Sequence, residues 1–135
     1  MAEFVGYLLV AAGGALGSVA RYWLSQVVGR SFGETFPWGT VIVNISGSFI
    51  IGFLAALADP AGRRYLSPNS RLFFMYGICG GYTTFSSFSL QTFNLMRTGE
   101  WWKAGGNVAV SVFPCILATW FGYMLGASMN SVKGE

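Results

Sequence analysis

The stretch from Gly80 to Thr92, GGYTTFSSFSLQT, carries six aliphatic hydroxyls, one phenol and one amide, yet no charge. Apolar residues flank it on both sides. Hydrocarbon offers polar groups no hydrogen-bond partners, so each unpaired one there is costly. Glycine is a poor helix former, and Gly80 and Gly81 stand just ahead of Thr83 and Thr84. The pattern predicts a helix interrupted at this point. A helix broken at membrane depth is tolerated only where protein or water satisfies its backbone. Its freed carbonyls suit cations, and its freed amides and helix N-terminus suit anions. Phe85 and Phe88 follow, three residues apart and so on one helical face. A phenyl ring has a positive edge and a negative face. Edges turned toward an anion would stabilise it without a full charge that traps it, and conduction needs binding weak enough to leave. Taken alone, the same pair reads more simply as lipid-facing or core packing.

Two further stripes have helical spacing. Asn44, Ser48 and Gly52 recur every four residues and share a face. They serve either as interhelical glue or as donors aimed into a water-filled path. Asn107, Ser111, Cys115 and Thr119 form a longer track at the same spacing. Hydroxyls donate without carrying charge, and such a row suits an ion that must keep partners as it sheds water. Pro114 lies within this track and removes one backbone donor, which predicts a kink. Arg21 stands about seven residues inside an apolar segment, roughly 10 Å along a helix. It either snorkels to the interface or sits as an intramembrane charge that attracts anions.

Absences narrow the chemistry. There is no histidine, and Glu3, Glu34, Asp59, Glu100 and Glu135 all fall outside the apolar segments. Proton-coupled transport needs a protonatable group in the membrane path, and an intramembrane hydrolase needs a general acid or base. Neither is available, so enzyme and proton antiporter both recede. The two cysteines, Cys79 and Cys115, fall inside apolar segments and read as small apolar side chains rather than as a disulfide or a metal pair.

The elements that must position these residues are set by composition. Apolar residues make up 53% of the chain and charged ones only 10%. Four apolar segments stand out, Phe4 to Val28, Trp38 to Ala58, Leu72 to Met96 and Ala104 to Ser128. Each holds the roughly 20 residues that cross a ~30 Å hydrocarbon core. The first lacks a basic leader and is too long for a signal peptide, so it reads as a retained membrane helix. The connections, Gly29 to Pro37, Asp59 to Arg71 and Arg97 to Lys103, are short, which makes sequential helices antiparallel. The expected architecture is an all-α membrane protein: a single transmembrane domain over residues 1–135 with four spans, the third broken. Trp23, Trp38, Tyr65, Trp101 and Trp102 lie near span ends, where aromatic belts form. Gly13 and Gly17, Gly77 and Gly81, and Gly122 and Gly126 each make a GxxxG pair, which lets helices approach closely.

The net charge of +3 is small and scattered, and points to no nucleic acid. Arg63, Arg64, Arg71 and Lys133 lie on one side of the spans, and Arg21, Arg30, Arg97 and Lys103 on the other. Orientation in a membrane is read from the difference in Lys and Arg between the two sides. Here there is none, which permits insertion both ways and an antiparallel dimer, though chance gives such a tie too.

The stretch GGYTTFSSFS, together with GTVIVNISGS and GSVARY, resembles the Fluc (CrcB) fluoride channels, and the resemblance covers essentially the whole chain. It implies a dual-topology, antiparallel homodimer of four-helix subunits with two pores, multi-pass in the bacterial inner membrane. It implies passive, selective fluoride efflux that relieves fluoride toxicity. By motif position, the carbonyls of Gly80 and Thr83 would hold a structural Na⁺ at the dimer centre. Phe85 and Phe88 match the pore phenylalanines, Asn44 the pore asparagine, and Arg21 the vestibule arginine. Ser111 and Cys115 fall on the fourth-helix polar track. Gln91 stands where many members have glutamate, Cys115 where a hydroxyl is common, and Asn107 where an aromatic occurs. The main competitor is a small dual-topology, proton-coupled multidrug exporter, which would need the intramembrane carboxylate this chain lacks. A structural subunit whose stripes only glue helices is the third reading.

Overall fold

The structure, a computed structural model, describes residues 1–63 and 65–131. Arg64, Lys133 and Glu135 lie outside the described residues. Everything described is helical or loop, with no strand among these residues. Helix α1 spans Ala2–Phe32 and α2 spans Trp38–Leu57. Then α3 runs over residues 68–82 as three abutting stretches, Pro68–Arg71, Leu72–Cys79 and Gly80–Tyr82, the middle one wound as a π-helix. Helix α4 spans Phe85–Arg97, and α5 spans Trp101–Met129 without interruption at Pro114.

Helices α1, α2 and α5 are each long and apolar enough to cross a membrane. The third span differs from the single run over 72–96. It begins at Pro68, with Ser67 as an N-cap accepting from the Ser70 N–H at 3.2 Å. It is then interrupted between Tyr82 and Phe85. Neither half reaches the roughly 20 residues needed to span, so together they make one crossing. Helices α1 and α5 run past their expected ends, α1 reaching Phe32 and α5 beginning at Trp101, while α2 ends at Leu57, within one residue of its expected bound. Gly33 (φ 81°) closes α1 and Gly99 (φ 80°) turns α4 into α5, both in the left-handed region that favours glycine.

The break falls at Thr83 and Thr84, not at the glycines. Gly80 keeps helical angles, φ −62° and ψ −38°. The glycines instead let backbones touch. A methyl on Gly13 would meet the Phe73 carbonyl and lie 2.9 Å from the Gly77 Cα. One on Gly17 would overlap the Ile78 carbonyl, and one on Gly81 would sit 2.5 Å from the Gly14 oxygen. The two GxxxG pairs therefore face each other and zip α1 to α3. A second seam joins α2 to α5: Gly52 lies against the Thr119 backbone, Gly122 against the Phe49 carbonyl, and Gly126 against the Phe53 carbonyl. The break lets the third span change neighbours, with α3 on α1 and α4 on α5. Where the chain turns between α2 and α3, the buried Asn130 donates from Nδ2 to the Ala56 carbonyl at 3.1 Å and accepts at its own carbonyl from the Arg63 N–H at 3.1 Å.

These seams make a contrast. Gly122→Ala forces α2 and α5 apart and should destabilise the fold by about 1–3 kcal/mol or more. Gly105→Ala, at a helical position with open space, should be neutral or stabilising by up to roughly 1 kcal/mol. Thermal melting of the purified variants in detergent checks both.

Candidate functional site

Two side chains from other helices, Asn44 and Arg21, and the hydroxyl of Thr84 itself hold the break open. Thr83 (φ −84°, ψ 155°) and Thr84 (φ −151°, ψ 115°) are extended. Asn44 of α2 grips both polar groups of Thr84: Oδ1 accepts its N–H at 2.8 Å, and Nδ2 donates to its carbonyl at 3.0 Å. The Thr84 hydroxyl caps α4, accepting the Ser87 N–H at 3.2 Å. Arg21 of α1 donates from Nε to the Gly81 carbonyl at 3.0 Å. Its side chain is thus tied at Nε to the third span just ahead of the break. The other polar groups of the stretch are also largely absorbed. Thr83 donates from Oγ1 to the Cys79 carbonyl at 2.9 Å, and the Tyr82 phenol pairs with Ser46 Oγ at 2.8 Å.

In an unbroken helix the Thr84 N–H would bond the Gly80 carbonyl, and the Ser87 N–H would bond that of Thr83. Asn44 takes the first donor and the Thr84 hydroxyl takes the second. The break thus removes the helical donors of the Gly80, Gly81, Tyr82 and Thr83 carbonyls; Arg21 meets that of Gly81 instead, and Gly80 lies exposed on the surface of the chain. Among the described residues no cluster of three or more His, Cys, Asp or Glu could hold a metal.

Beside the break lies a cavity of about 330 Å³. Asn44, Ser48, Phe85, Phe88, Ser111 and Cys115 all line it, with Thr83 and Thr84 at its side. The two stripes and the phenylalanine pair thus converge. Each amide nitrogen has two hydrogens, and only one hydrogen bond engages Asn44 Nδ2. The first N–H groups of α4, which have no partner within the helix, lie at this same place. The ring centroids of Phe85 and Phe88 are 5.4 Å apart with planes tilted by 52°. Their surroundings differ: Phe88 is only 8% exposed, and Phe85 is 76% exposed. Among the described residues no charged side chain lines the cavity.

A buried chain of donors runs behind Phe88. Ser111 donates to Asn107 Oδ1 at 3.4 Å, Asn107 Nδ2 donates to Thr92 Oγ1 at 2.9 Å, and Thr92 donates to the Phe88 carbonyl at 2.7 Å. The long first link leaves the Ser111 hydroxyl free to rotate toward the cavity. Thr92 was not among the expected site residues. Its place four residues after Phe88 was the available signal, but its partner Asn107 comes from α5. Thr119, at the far end of the expected track, bonds back to the Cys115 carbonyl at 3.0 Å and does not line the cavity.

Arg21 and Gln91 lie outside this cavity. Gln91 borders a separate polar cavity of about 530 Å³ with Gln26, Glu34, Asn94 and Glu100. Its Oε1 is buried and has no hydrogen-bond partner among the described residues. At the rim, Lys103 pairs with Glu100 at 2.7 Å and holds that exposed carboxyl below its ordinary range.

Residues 8–123 match the model of a family described as CrcB-like protein, Camphor Resistance (CrcB). A protein of Opitutus terrae named fluoride-specific ion channel FluC is 56% identical over 129 residues, covering 96% of this chain and 98% of that one. Proteins of the same name from Methylocella silvestris and Rhodospirillum rubrum are each 52% identical, covering 95% and 92% of this chain and 98% and 96% of their own lengths.

The two thiols should separate chemically. Cys115 lines the cavity and is partly exposed, and Cys79 is buried. A small methanethiosulfonate should label one cysteine per folded chain, and Cys115→Ser should abolish that labelling. Intact-mass spectrometry checks this.

Proposed function

We propose that this chain, which belongs to the CrcB-like protein family, is a passive, fluoride-selective channel that exports cytoplasmic fluoride. The observation that carries the reading is the cavity at the break. It gathers an amide, hydroxyls, a helix N-terminus and two phenyl rings without any charged side chain. Fluoride is small and strongly hydrated. A site that strips its water must return close hydrogen bonds and positive potential. Asn44, Ser48 and Ser111 offer donors, the first amides of α4 add a partial positive charge, and ring edges add more. Arg21, tied to the Gly81 carbonyl, contributes positive charge from beside the break rather than from the cavity wall. Chloride would need a wider passage and gain less from close donors. Cys115 supplies a weaker donor than a hydroxyl would. Gln91 would act at a distance, from a polar cavity separate from the one at the break.

The relatives' names point to transport rather than catalysis. Export needs no coupling on this reading. Fluoride enters an acid-exposed cell as neutral HF and ionises inside, and the membrane potential drives the anion out through an open path. The bacterial inner membrane is the proposed location.

An antiparallel homodimer belongs to the same reading. Gly80 and the Phe85 ring are exposed in the middle of the third span. Polar backbone facing lipid at that depth is costly, and a second copy would cover it. The even division of Lys and Arg permits the opposed insertion this needs. The carbonyls of Gly80 and Thr83, relieved of their helical donors, fit a structural Na⁺ shared between two such breaks. Bound there, the ion would supply positive charge and join the breaks.

Liposomes containing the purified chain should release fluoride rapidly and hold chloride. Phe85→Ile and Phe88→Ile should each cut fluoride flux by about tenfold or more, the loss of about 1.4 kcal/mol of edge-on stabilisation, with the oligomer intact. A fluoride electrode and size-exclusion chromatography check this. Retention of fluoride for hours, or equal loss of bromide, overturns the reading.

A further inference from the structure

The amide of Asn44 does more than an anion donor requires. It closes on both polar groups of a single residue, Thr84, across two helices. The captured N–H is the one that helix continuation would send to Gly80. An N–H without a partner at membrane depth is costly. With Asn44 absent, the nearest acceptor by sequence is the Gly80 carbonyl, and bonding to it would extend α3 through the break. The Thr84 hydroxyl plays the matching part on the other side by taking the Ser87 N–H from Thr83.

We infer that Asn44 is a positioning residue for the cation as well as a donor to the anion: by holding the Thr84 N–H it keeps the Gly80 carbonyl available. This rests on the channel reading above and its structural Na⁺. One side chain then faces both ions, with Oδ1 guarding the cation carbonyl and Nδ2 bordering the anion cavity. The two functions divide between the two ends of one amide, so they separate by substitution. Asn44→Asp keeps an oxygen to accept the Thr84 N–H but loses the nitrogen donor and sets a negative charge at the cavity. Asn44→Ala loses both ends.

The test compares melting of the purified full-length dimer in NaCl and in N-methylglucamine chloride, alongside fluoride flux from liposomes. The parent chain should melt higher in Na⁺. Asn44→Ala should lose that Na⁺-dependent shift. Asn44→Asp should keep the shift while losing flux by at least about tenfold, as expected for a lost donor to a charged group. A full Na⁺ shift in Asn44→Ala overturns the inference, as does loss of the shift in Asn44→Asp. If Asn44→Ala does not fold, Asn44→Asp decides alone. A parent chain with fluoride flux and no Na⁺ shift removes the cation, and this inference with it, and leaves the channel standing. Absence of fluoride flux with the Na⁺ shift present removes the channel reading instead.

Discussion

A backbone amide in hydrocarbon must have a partner within the protein, and the break at Thr83 and Thr84 is where this chain meets that demand from outside the helix. One side-chain amide on α2 satisfies both groups of Thr84. That bond sets a distance: α2 must run close enough to α3 for a short asparagine to reach. Gly47 makes this possible, because a methyl there would collide with the Thr83 side chain and sit 3.0 Å from the Tyr82 ring. Ser46 adds a bond to the Tyr82 phenol from the same turn. Gly47 thus permits the close approach and Ser46 adds a polar contact to it, and the cavity lies between the helices beside them.

The same economy explains the glycine seams. Lipid tails are as apolar as the helix faces, so helices in a membrane associate through close packing and hydrogen bonds. Facing GxxxG pairs bring α1 onto α3, and Gly52, Gly122 and Gly126 bring α2 onto α5. The break then permits the third span to leave α1 and finish against α5, where Asn107 reaches Thr92. A straight third helix would stay with one neighbour and could not place Phe88 between Asn44 and Ser111.

Much of this was legible from residue types and spacing. The apolar segments, the antiparallel order and the interruption near Gly80 follow from hydropathy, loop length and helix propensity. Each stripe and the phenylalanine pair could be read from spacing, but that they share one site was implied by the family resemblance and not by the spacing. The position of the break was not legible. Glycine weakens a helix in isolation, but Gly80 and Gly81 stay helical, Gly81 packed against the Gly14 backbone of α1, and the turn passes to two threonines, of which Thr84 is held by Asn44 from α2. The fate of individual hydroxyls was equally hidden. Thr83 and Thr119 bond back to their own helices, whereas Ser111 and Thr92 join a chain across two helices. Spacing tells which residues share a face; it does not tell which acceptor lies opposite. Gln91 is the same case, since its cavity is walled by the loop after α1, far away in sequence.

The absence of charge from the cavity wall follows from how an ion is held and released. A full charge buried in low dielectric binds a counter-ion strongly, and a path must let its ion go. Dipoles and ring edges supply smaller steps of potential. Among the described residues the cation near the break, Arg21, is spent on a carbonyl and reaches the cavity only as a field. Such a wall is incomplete on one side, because Phe85 turns 76% of its surface outward while Phe88 is enclosed. On the proposed reading that outward ring and the exposed Gly80 are halves of contacts finished by a second, inverted copy. The subunit then needs no orientation preference of its own, since a pair of opposite insertions presents the same break from both sides.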